Sequence, residues 1–358
     1  MSDSSLLFSP IQFKNIRLAN RIVVSPMCQY TAINGYANNW HLIHLGQFAI
    51  AKPAAIIQEA TAVSPEGRIS YGDLGLWEDE QIEKYQEIVS FIKSQGVVPG
   101  IQLAHAGRKA STEKPWLGKT QFPPEDTKGW QTISSTDKPF RAGECAPQHM
   151  SIKDIKELII QFKNATIRAQ AAGYQIIEIH AAHGYLIHQF LSPAINNRTD
   201  QYGGTFENRI RILIEIIAEL KDLFQEDHSL WVRISATDWM ANGWDLQQSI
   251  QLVKQLKALG VDLIDVSSGG AAPEQVIPIK AGYQVPFSAA IRKECNVKTG
   301  AVGLINQAIQ AEEILQNQAA DLILIGREFL RNPHLTFDWA KELDPDFSWP
   351  KQYSRAKK

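Results

Sequence analysis

Short apolar runs recur along the chain and alternate with segments that have helical spacing. The runs are rich in valine and isoleucine and nearly continuous, which is typical of strands buried on both faces of a sheet. Eight of them are predicted as strands: 21–26, 54–62, 97–103, 174–180, 230–234, 263–267, 298–302 and 321–325. The clearest helical spacing between them lies at 81–92, 152–171, 207–224, 246–259 and 307–315.

Strands that alternate with helices predict an α/β fold with parallel pairing and right-handed crossovers. An open doubly wound sheet and a closed barrel both fit this alternation. The count of eight strands favours the closed TIM (β/α)8 barrel. The pattern predicts one domain over residues 1–358, with a C-terminal extension at about 343–358.

Two segments fall outside the repeat. Residues 7–18 precede the first strand and are predicted to form a small hairpin that plugs the bottom of the barrel. Residues 105–150 follow the third strand and are too long for an ordinary strand-to-helix loop. They are predicted to form a lid over the catalytic end, and a surface excursion without function is the alternative.

Composition narrows the class of protein. The 358 residues include 36 basic and 38 acidic side chains, which excludes a broadly basic nucleic-acid binder and an acidic disordered chain. No stretch of 18 uncharged apolar residues predicts a membrane span, and the N-terminus lacks a signal-peptide pattern. Cys28, Cys145 and Cys295 have no metal-ligand spacing, so a cytoplasmic location is predicted.

In barrels of this kind, chemistry takes place at the carboxyl ends of the strands. The fourth strand ends with His180, His183 and Tyr185. The two histidines could be half of a zinc site, but no third ligand stands out nearby, so no metal is predicted. They could also be buried structural histidines. The sharper hypothesis is a pair of N–H donors that bind one oxygen, with Tyr185 as a proton source.

The first strand ends with Cys28, for which three interpretations stay open. A nucleophile is one, but no cysteine-protease signature surrounds it. A buried inert thiol is the second. The third is a polarisable thiol beside an aromatic cofactor.

The remaining strand ends suggest a ring-and-phosphate ligand. Gly303 follows the seventh strand, and Gly326 and Arg327 follow the eighth, where barrels commonly bind a phosphate. Gln102 and Arg233, on the third and fifth strands, suit a polar ring edge, and Arg233 could stabilise negative charge there.

At these residues the sequence resembles the Old Yellow Enzyme family of FMN-dependent ene-reductases, over almost its whole length. The longest matching run is His180-Ala-Ala-His-Gly-Tyr-Leu-Ile-His-Gln-Phe-Leu-Ser-Pro, continued by Asn197-Arg-Thr-Asp-Gln-Tyr-Gly-Gly-Thr-Phe-Glu-Asn-Arg209. The segments Ser25-Pro-Met-Cys-Gln-Tyr30, Gln102-Leu-Ala-His-Ala-Gly-Arg-Lys109 and Gln352-Tyr-Ser-Arg355 resemble its thermophilic-like bacterial subgroup.

The resemblance implies a set of residue roles. His180 and His183 bind the substrate's carbonyl oxygen, Tyr185 protonates the α-carbon, and Tyr30 closes the pocket. Cys28 lines the flavin and tunes its potential. The implied cofactor-binding residues are Ser25, Pro26, Met27, Cys28, Ala60, Gln102, Arg233, Gly303, Gly326 and Arg327.

It also implies the reaction. NADPH or NADH reduces FMN, and flavin N5 then gives hydride to an α,β-unsaturated carbonyl compound, with trans addition and ping-pong kinetics. Arg355 is implied to reach a neighbouring subunit's site in a homodimer or homotetramer. Relatives often carry an aromatic residue after this arginine, whereas Ala356 follows it here.

Three rival functions compete with this one, of which the first is rejected. Iron–sulfur relatives need clustered cysteines, which this sequence lacks. A non-flavin phosphate-binding isomerase or aldolase needs a lysine or carboxylate at the mouth, and Lys109 is the nearby lysine. A flavin-binding redox sensor or interaction protein without enone turnover is the third.

Overall fold

The strands form the frame of the molecule, which is known here from a computed structural model that describes residues 5–118 and 120–357. In chain order the strands are β1 (Ile11–Phe13), β2 (Ile16–Leu18), β3 (Ile22–Val24), β4 (Ala55–Ala62), β5 (Leu74–Gly75), β6 (Val98–Ala104), β7 (Ile133–Ser134), β8 (Gln148–His149), β9 (Ile176–Ala181), β10 (Ser229–Ser235), β11 (Leu263–Ser267), β12 (Lys298–Ala301) and β13 (Leu322–Ile325). The α-helices are α1 (Asn39–Ile50), α2 (Ile82–Ser94), α3 (Ile152–Ala171), α4 (Leu186–Leu191), α5 (Phe206–Leu220), α6 (Leu246–Ala258), α7 (Val285–Cys295), α8 (Ala308–Gln316), α9 (Arg327–Arg331) and α10 (Leu335–Leu343).

Eight parallel strands close into a barrel in the order β3-β4-β6-β9-β10-β11-β12-β13, and β13 pairs back onto β3. They correspond to the eight predicted runs, so the TIM-barrel prediction is confirmed. The central strands β4, β6, β9, β10 and β11 are buried along their whole length, because helices cover the outside and side chains fill the inside.

The N-terminal hairpin closes one end of the barrel, as predicted. β1 and β2 pair antiparallel. Phe13, Ile16 and Leu18 form an apolar cluster with inward-facing barrel residues such as Val23 and Trp231. This cluster is separate from the larger one between the barrel and its helices. The open end of the barrel, called the mouth below, is therefore the one at the carboxyl ends of the strands.

The excursion at residues 105–150 borders the mouth rather than forming a barrel element. It contains two short 3-10 helices, Gly107–Lys109 and Pro115–Leu117, together with the paired strands β7 and β8. The segment after α10 packs back on that helix, where Trp349 stacks on Phe337 at 4.3 Å. Within residues 5–118 and 120–357, no helix is both long and apolar enough to cross a membrane.

Candidate active site

A cleft of about 330 Å³ opens at the mouth and collects most of the predicted site residues. One part lies among His180, His183 and Tyr185, and another lies at Arg327 and Arg331. The predicted residues that line it are Ser25, Pro26, Met27, Cys28, Ala60, Gln102, His180, His183, Tyr185, Arg233, Gly303, Gly326 and Arg327. Residues distant in sequence therefore meet because the strands that carry them end at one rim.

A second cavity of about 500 Å³ adjoins the first and shares Tyr185 with it. Tyr30 lines this second cavity, and its ring meets that of Trp116 edge-on at 6.0 Å. The 105–150 segment contributes further lining residues, among them Phe140 and Arg141. The segment therefore lies where a lid is predicted.

Arg355 is the predicted site residue that stays outside both cavities. It is exposed and lies in a 3-10 helix, Lys351–Ala356. This helix is held by Tyr353, whose ring lies 5.5 Å from that of His334. Its predicted contact with a neighbouring subunit remains a prediction.

His180 and His183 stand side by side, with ring centroids 5.1 Å apart and nearly perpendicular planes. Burial, followed by the positive charge of Arg233, lowers the pKa of both imidazoles well below the ordinary value. Both rings are therefore neutral at physiological pH. His180 Nδ1 accepts from the Ala182 N–H at 3.3 Å, so Nε2 carries the proton and is its available donor.

The turn that carries His183 is held by several backbone contacts. The His183 N–H donates to Ser235 Oγ at 2.9 Å, and Lys109 Nζ donates to the His183 carbonyl at 2.8 Å. Gly184 has φ +72°, and a Cβ there would lie 1.9 Å from the Gly270 oxygen. The Gly184 N–H also donates to His188 Nδ1 at 2.8 Å. Only glycine fits at this crossing.

Lys109 thus binds the backbone of the turn, and its ammonium lies 5.0 Å from the Tyr185 ring centroid. This contact differs from that expected of a Schiff-base lysine. No group of three or more histidine, cysteine, aspartate or glutamate side chains that could hold a metal ion occurs among the residues described.

Tyr185 and Cys28 both keep their protons. Burial raises the pKa of the Tyr185 hydroxyl far above its ordinary value, and the nearby acidic groups Cys28 and Asp73 raise it further. Burial likewise raises the pKa of the Cys28 thiol, with help from Asp73 and Glu59. Cys28 is therefore a neutral thiol rather than a thiolate, which disfavours the nucleophile hypothesis.

Strand register places Gln102 and Arg233 beside acidic side chains on neighbouring strands. Gln102 pairs with Glu178 across β6 and β9, and its Nε2 donates to Glu178 Oε1 at 2.7 Å. Arg233 lies between His180 and Asp265 in register, and its Nε lies 2.9 Å from Asp265 Oδ2. Both long side chains are thus held by acidic partners beside them on neighbouring strands, and both line the cleft.

The opposite end of the cleft is cationic. Arg331 is ion-paired with Glu328 at 2.6 Å, whereas Arg327 has no carboxylate within ion-pair distance among the described residues. Gly303 has φ +109°, and a Cβ there would lie 2.9 Å from Gln284 Nε2. Backbone and cation together give an end suited to a phosphate.

Several residues that line the cleft were not predicted, because no sequence motif marks them. They are Ser267, Tyr283, Gln284, Leu304, Ile305, Asn306, Glu328 and Arg331. Ser267 was detectable as the last residue of its strand.

Comparisons with known proteins agree on one family. The model of the NADH:flavin oxidoreductase / NADH oxidase family matches residues 6–346. The chain is 45% identical to the NADPH dehydrogenase of Geobacillus sp. (strain WCH70) over 353 residues, which cover 98% of each chain. It is 46% identical to the NADPH dehydrogenase of Bacillus cytotoxicus over 352 residues, covering 98% of this chain and 96% of that one. Morphinone reductase shares the fold with a TM-score of 0.79 at 24% identity, over 96% of this chain and 92% of the other.

These matches confirm the Old Yellow Enzyme resemblance, the oxidoreductase class, and FMN with NADH or NADPH as the cofactors. The chain belongs to the NADH:flavin oxidoreductase / NADH oxidase family.

Proposed function

We propose that the protein is an FMN-dependent ene-reductase, which uses NADPH or NADH to reduce the activated C=C bond of α,β-unsaturated carbonyl compounds. When bound, FMN supplies hydride transfer from the nicotinamide to the β-carbon of the substrate. The observation that carries the proposal is the cluster of two neutral histidines and Tyr185, at one cleft with the cationic end at Arg327.

The cleft fits FMN by the chemistry of its lining. Gln102 Oε1 can accept from a ring N–H, and the Arg233 guanidinium can donate to ring carbonyl oxygens. Arg327 and the backbone at Gly303 and Gly326 hold the phosphate. Ser25, Pro26, Met27, Cys28 and Ala60 line the space between. Residues 1–358 then act as one FMN-binding domain, of which 1–4, 119 and 358 lie outside the described part.

His180 and His183 bind the carbonyl oxygen of the substrate. Each neutral imidazole can donate one N–H, and two donors on one oxygen stabilise the negative charge that develops there. Because burial and Arg233 disfavour the protonated rings, the pair binds without becoming cationic. The polarised carbonyl makes the β-carbon electrophilic.

Tyr185 gives its proton to the α-carbon. Its ring lies 5.1 Å from that of His180, so the proton donor and the oxygen-binding group share one wall. A raised pKa keeps the hydroxyl protonated until the basic enolate develops. Trans addition is the expected outcome, and Cys28 contributes a small polarisable thiol that adjusts the flavin potential.

The test is the visible spectrum of the purified protein, followed anaerobically. NADPH should bleach the flavin bands, and cyclohexenone should restore them. Tyr185→Phe should slow restoration more than bleaching, and His180→Ala should cost roughly 10- to 1,000-fold in enone turnover. A preparation that binds FMN but is never reoxidised by an enone would favour a redox sensor.

The assembly and the location complete the proposal. Arg355 reaches the site of a neighbouring subunit in a homodimer or homotetramer. Exposed Trp40 and Ile43 on α1, at 55% and 69% of their surface, add an apolar patch that subunit contact would cover. A monomeric mass by light scattering would contradict the proposed oligomer and this role of Arg355. The cysteines Cys28, Cys145 and Cys295 are free thiols, which suits a reducing cytoplasm and is checked by cell fractionation.

A further inference from the structure

A third and much smaller cavity lies behind Tyr185. Its volume is about 10 Å³, close to the least that holds one water molecule. Tyr185 lines this cavity as well as both larger ones, so it separates the cleft from the interior. Among the described residues around it, Asp73 and Tyr185 carry the polar side chains, and the others are Ala60, Ala62, Gly67, Ile69, Ala104 and Ala106.

Asp73 has one carboxyl oxygen anchored and one that lacks a partner. Oδ2 accepts from the Ile69 N–H at 2.7 Å. Oδ1 is buried without a hydrogen-bond partner among the described residues, and the whole residue is 2% exposed. A buried oxygen without a partner is costly unless a water molecule or a proton satisfies it. A cavity at this side chain supplies the place for that water.

Several charged or titratable groups surround Asp73. Burial raises the pKa of the carboxyl to about 7, although the Ile69 and Ser70 N–H groups and the charges of Arg68 and Lys114 lower it. The charge of Asp73 in turn raises the pKa of Cys28, Tyr30, Glu59 and Tyr185. His105 packs against Gly67 at the cavity wall, and burial lowers its pKa to about 4, so it is neutral.

We propose that Asp73 supplies, through one water in this cavity, the proton that replaces the one Tyr185 gives to the substrate. The inference rests on the proposed function, since it needs Tyr185 as the proton donor. Asp73 acts through Tyr185 and does not touch the substrate. A bound substrate covers the cleft side of Tyr185, so the cavity offers a route while solvent is excluded there.

The proton transfers balance in sequence. The Tyr185 O–H bond breaks as the α-carbon–hydrogen bond forms, while the family's own reaction supplies the hydride at the β-carbon. The water gives a proton to the tyrosinate and takes one from the Asp73 carboxylic acid. After the product leaves, solvent protonates Asp73 by the reverse route through Tyr185. Because tyrosinate is a stronger base than the Asp73 carboxylate, the exchange runs towards Tyr185.

The experiment compares the holoenzyme with its Asp73→Asn variant in multiple turnovers of cyclohexenone reduction, because every turnover after the first needs Tyr185 to be protonated again. An asparagine keeps an oxygen for the Ile69 N–H and an N–H₂ towards the water, but it cannot release a proton. The wild-type rate should fall about tenfold as pH rises from 6 to 9. The Asp73→Asn variant should show the low rate at every pH from 6 to 9. Its rate of flavin reduction by NADPH should be unchanged.

Two further variants separate the relay from a general effect of charge. Glu59→Gln removes another buried carboxylate that acts on Cys28 and Tyr30, but Glu59 does not line the cavity. It should keep the wild-type pH dependence. Ala62→Val fills the cavity and should flatten the profile although Asp73 is present. Infrared titration of the holoenzyme should show a protonated carboxyl that disappears near pH 7 and is missing from Asp73→Asn.

The outcomes are distinguishable. A wild-type enzyme that no enone reoxidises would overturn the proposed function and the relay with it. Reoxidation with a flat wild-type profile, or with an unchanged slope in Asp73→Asn, would overturn the relay alone. If Ala62→Val does not fold, the Asp73→Asn comparison and the infrared band still test the relay.

Discussion

His183 Nε2 lies 2.7 Å from the hydroxyl of Ser267, and this contact decides which ring nitrogen can bind a ligand. A neutral imidazole has one N–H. Ser268 Oγ already donates to Gln284 Oε1 at 2.7 Å, whereas Ser267 Oγ lies 3.1 Å from the same oxygen. The Gln284 oxygen can accept both bonds, so these distances leave two directions for the Ser267 hydroxyl. For His183 to donate to a carbonyl oxygen, as proposed, Ser267 donates to His183 Nε2 and the ring proton lies on Nδ1.

Ser267→Ala should therefore weaken the hold of His183 on a carbonyl oxygen. A neutral hydrogen bond contributes about 1 kcal/mol, so we expect roughly a fivefold loss in kcat/KM for enones. The rate of flavin reduction should change less. Ser268→Ala is the matched control, because it removes the neighbouring hydroxyl but leaves the contact with His183. Equal losses in both variants would contradict the assignment.

Gly184→Ala should disrupt the turn that presents His183 and Tyr185. The added carbon would lie 1.9 Å from the Gly270 oxygen, so two backbone segments must separate. We expect enone turnover to fall at least tenfold, as for a displaced oxyanion donor. Gly204→Ala is the control, since φ is +79° there but nothing lies within 4 Å of the added carbon. It should cost about 1 kcal/mol of unfolding free energy, measured with urea, and spare turnover.

Arg327→Ala should weaken FMN more than riboflavin, because it removes a cation from the phosphate end. A hydrogen bond to a charged group contributes about 1.5–3 kcal/mol, so the Kd for FMN should rise roughly 10- to 150-fold. Quenching of flavin fluorescence measures both ligands. Arg331→Ala should have a smaller effect, since Glu328 already neutralises that side chain. Equal weakening of riboflavin would place the phosphate elsewhere.

Glu178 should make the free energy of unfolding decrease as pH rises towards 8. Burial, followed by the charge of Asp265, raises its pKa from 4.5 to about 8. Between these values the folded protein binds a proton that the unfolded chain lacks, so the free energy of unfolding falls as pH rises, by at most about 1.4 kcal/mol per unit. His180 and His183 do not oppose this above pH 7, because their lowered pKa keeps them neutral when folded and they are largely neutral when unfolded.

Glu178→Gln should flatten the stability profile between pH 7 and 8. Urea unfolding at several pH values measures the slope, and the exposed Glu83→Gln variant serves as the control. If unfolding free energy still falls with pH in the Glu178→Gln variant, the proton that causes the fall belongs to another buried carboxyl group, such as that of Asp73.

The strands and the residues at their ends were predictable because a strand buried on both faces leaves a continuous apolar run in the sequence. Helix α1, at Asn39–Ile50, was not predicted, since its apolar residues do not keep to one face. Asp73 was not predicted either. It lies in the connection after β4, and its position beside Tyr185 depends on how that loop folds over the barrel. Ser267 and Gln284 matter through a contact between the end of β11 and the start of α7, which no local pattern records.

The hairpin that closes the base of the barrel also determines where reactants can enter. Phe13, Ile16 and Leu18 fill that end, so reactants enter and leave at the mouth. Under the proposed function, a nicotinamide donor and an electron-poor acceptor would take turns in the same cleft. A high concentration of either compound would then inhibit binding of the other. The turnover rate should therefore be highest at an intermediate ratio of donor to acceptor.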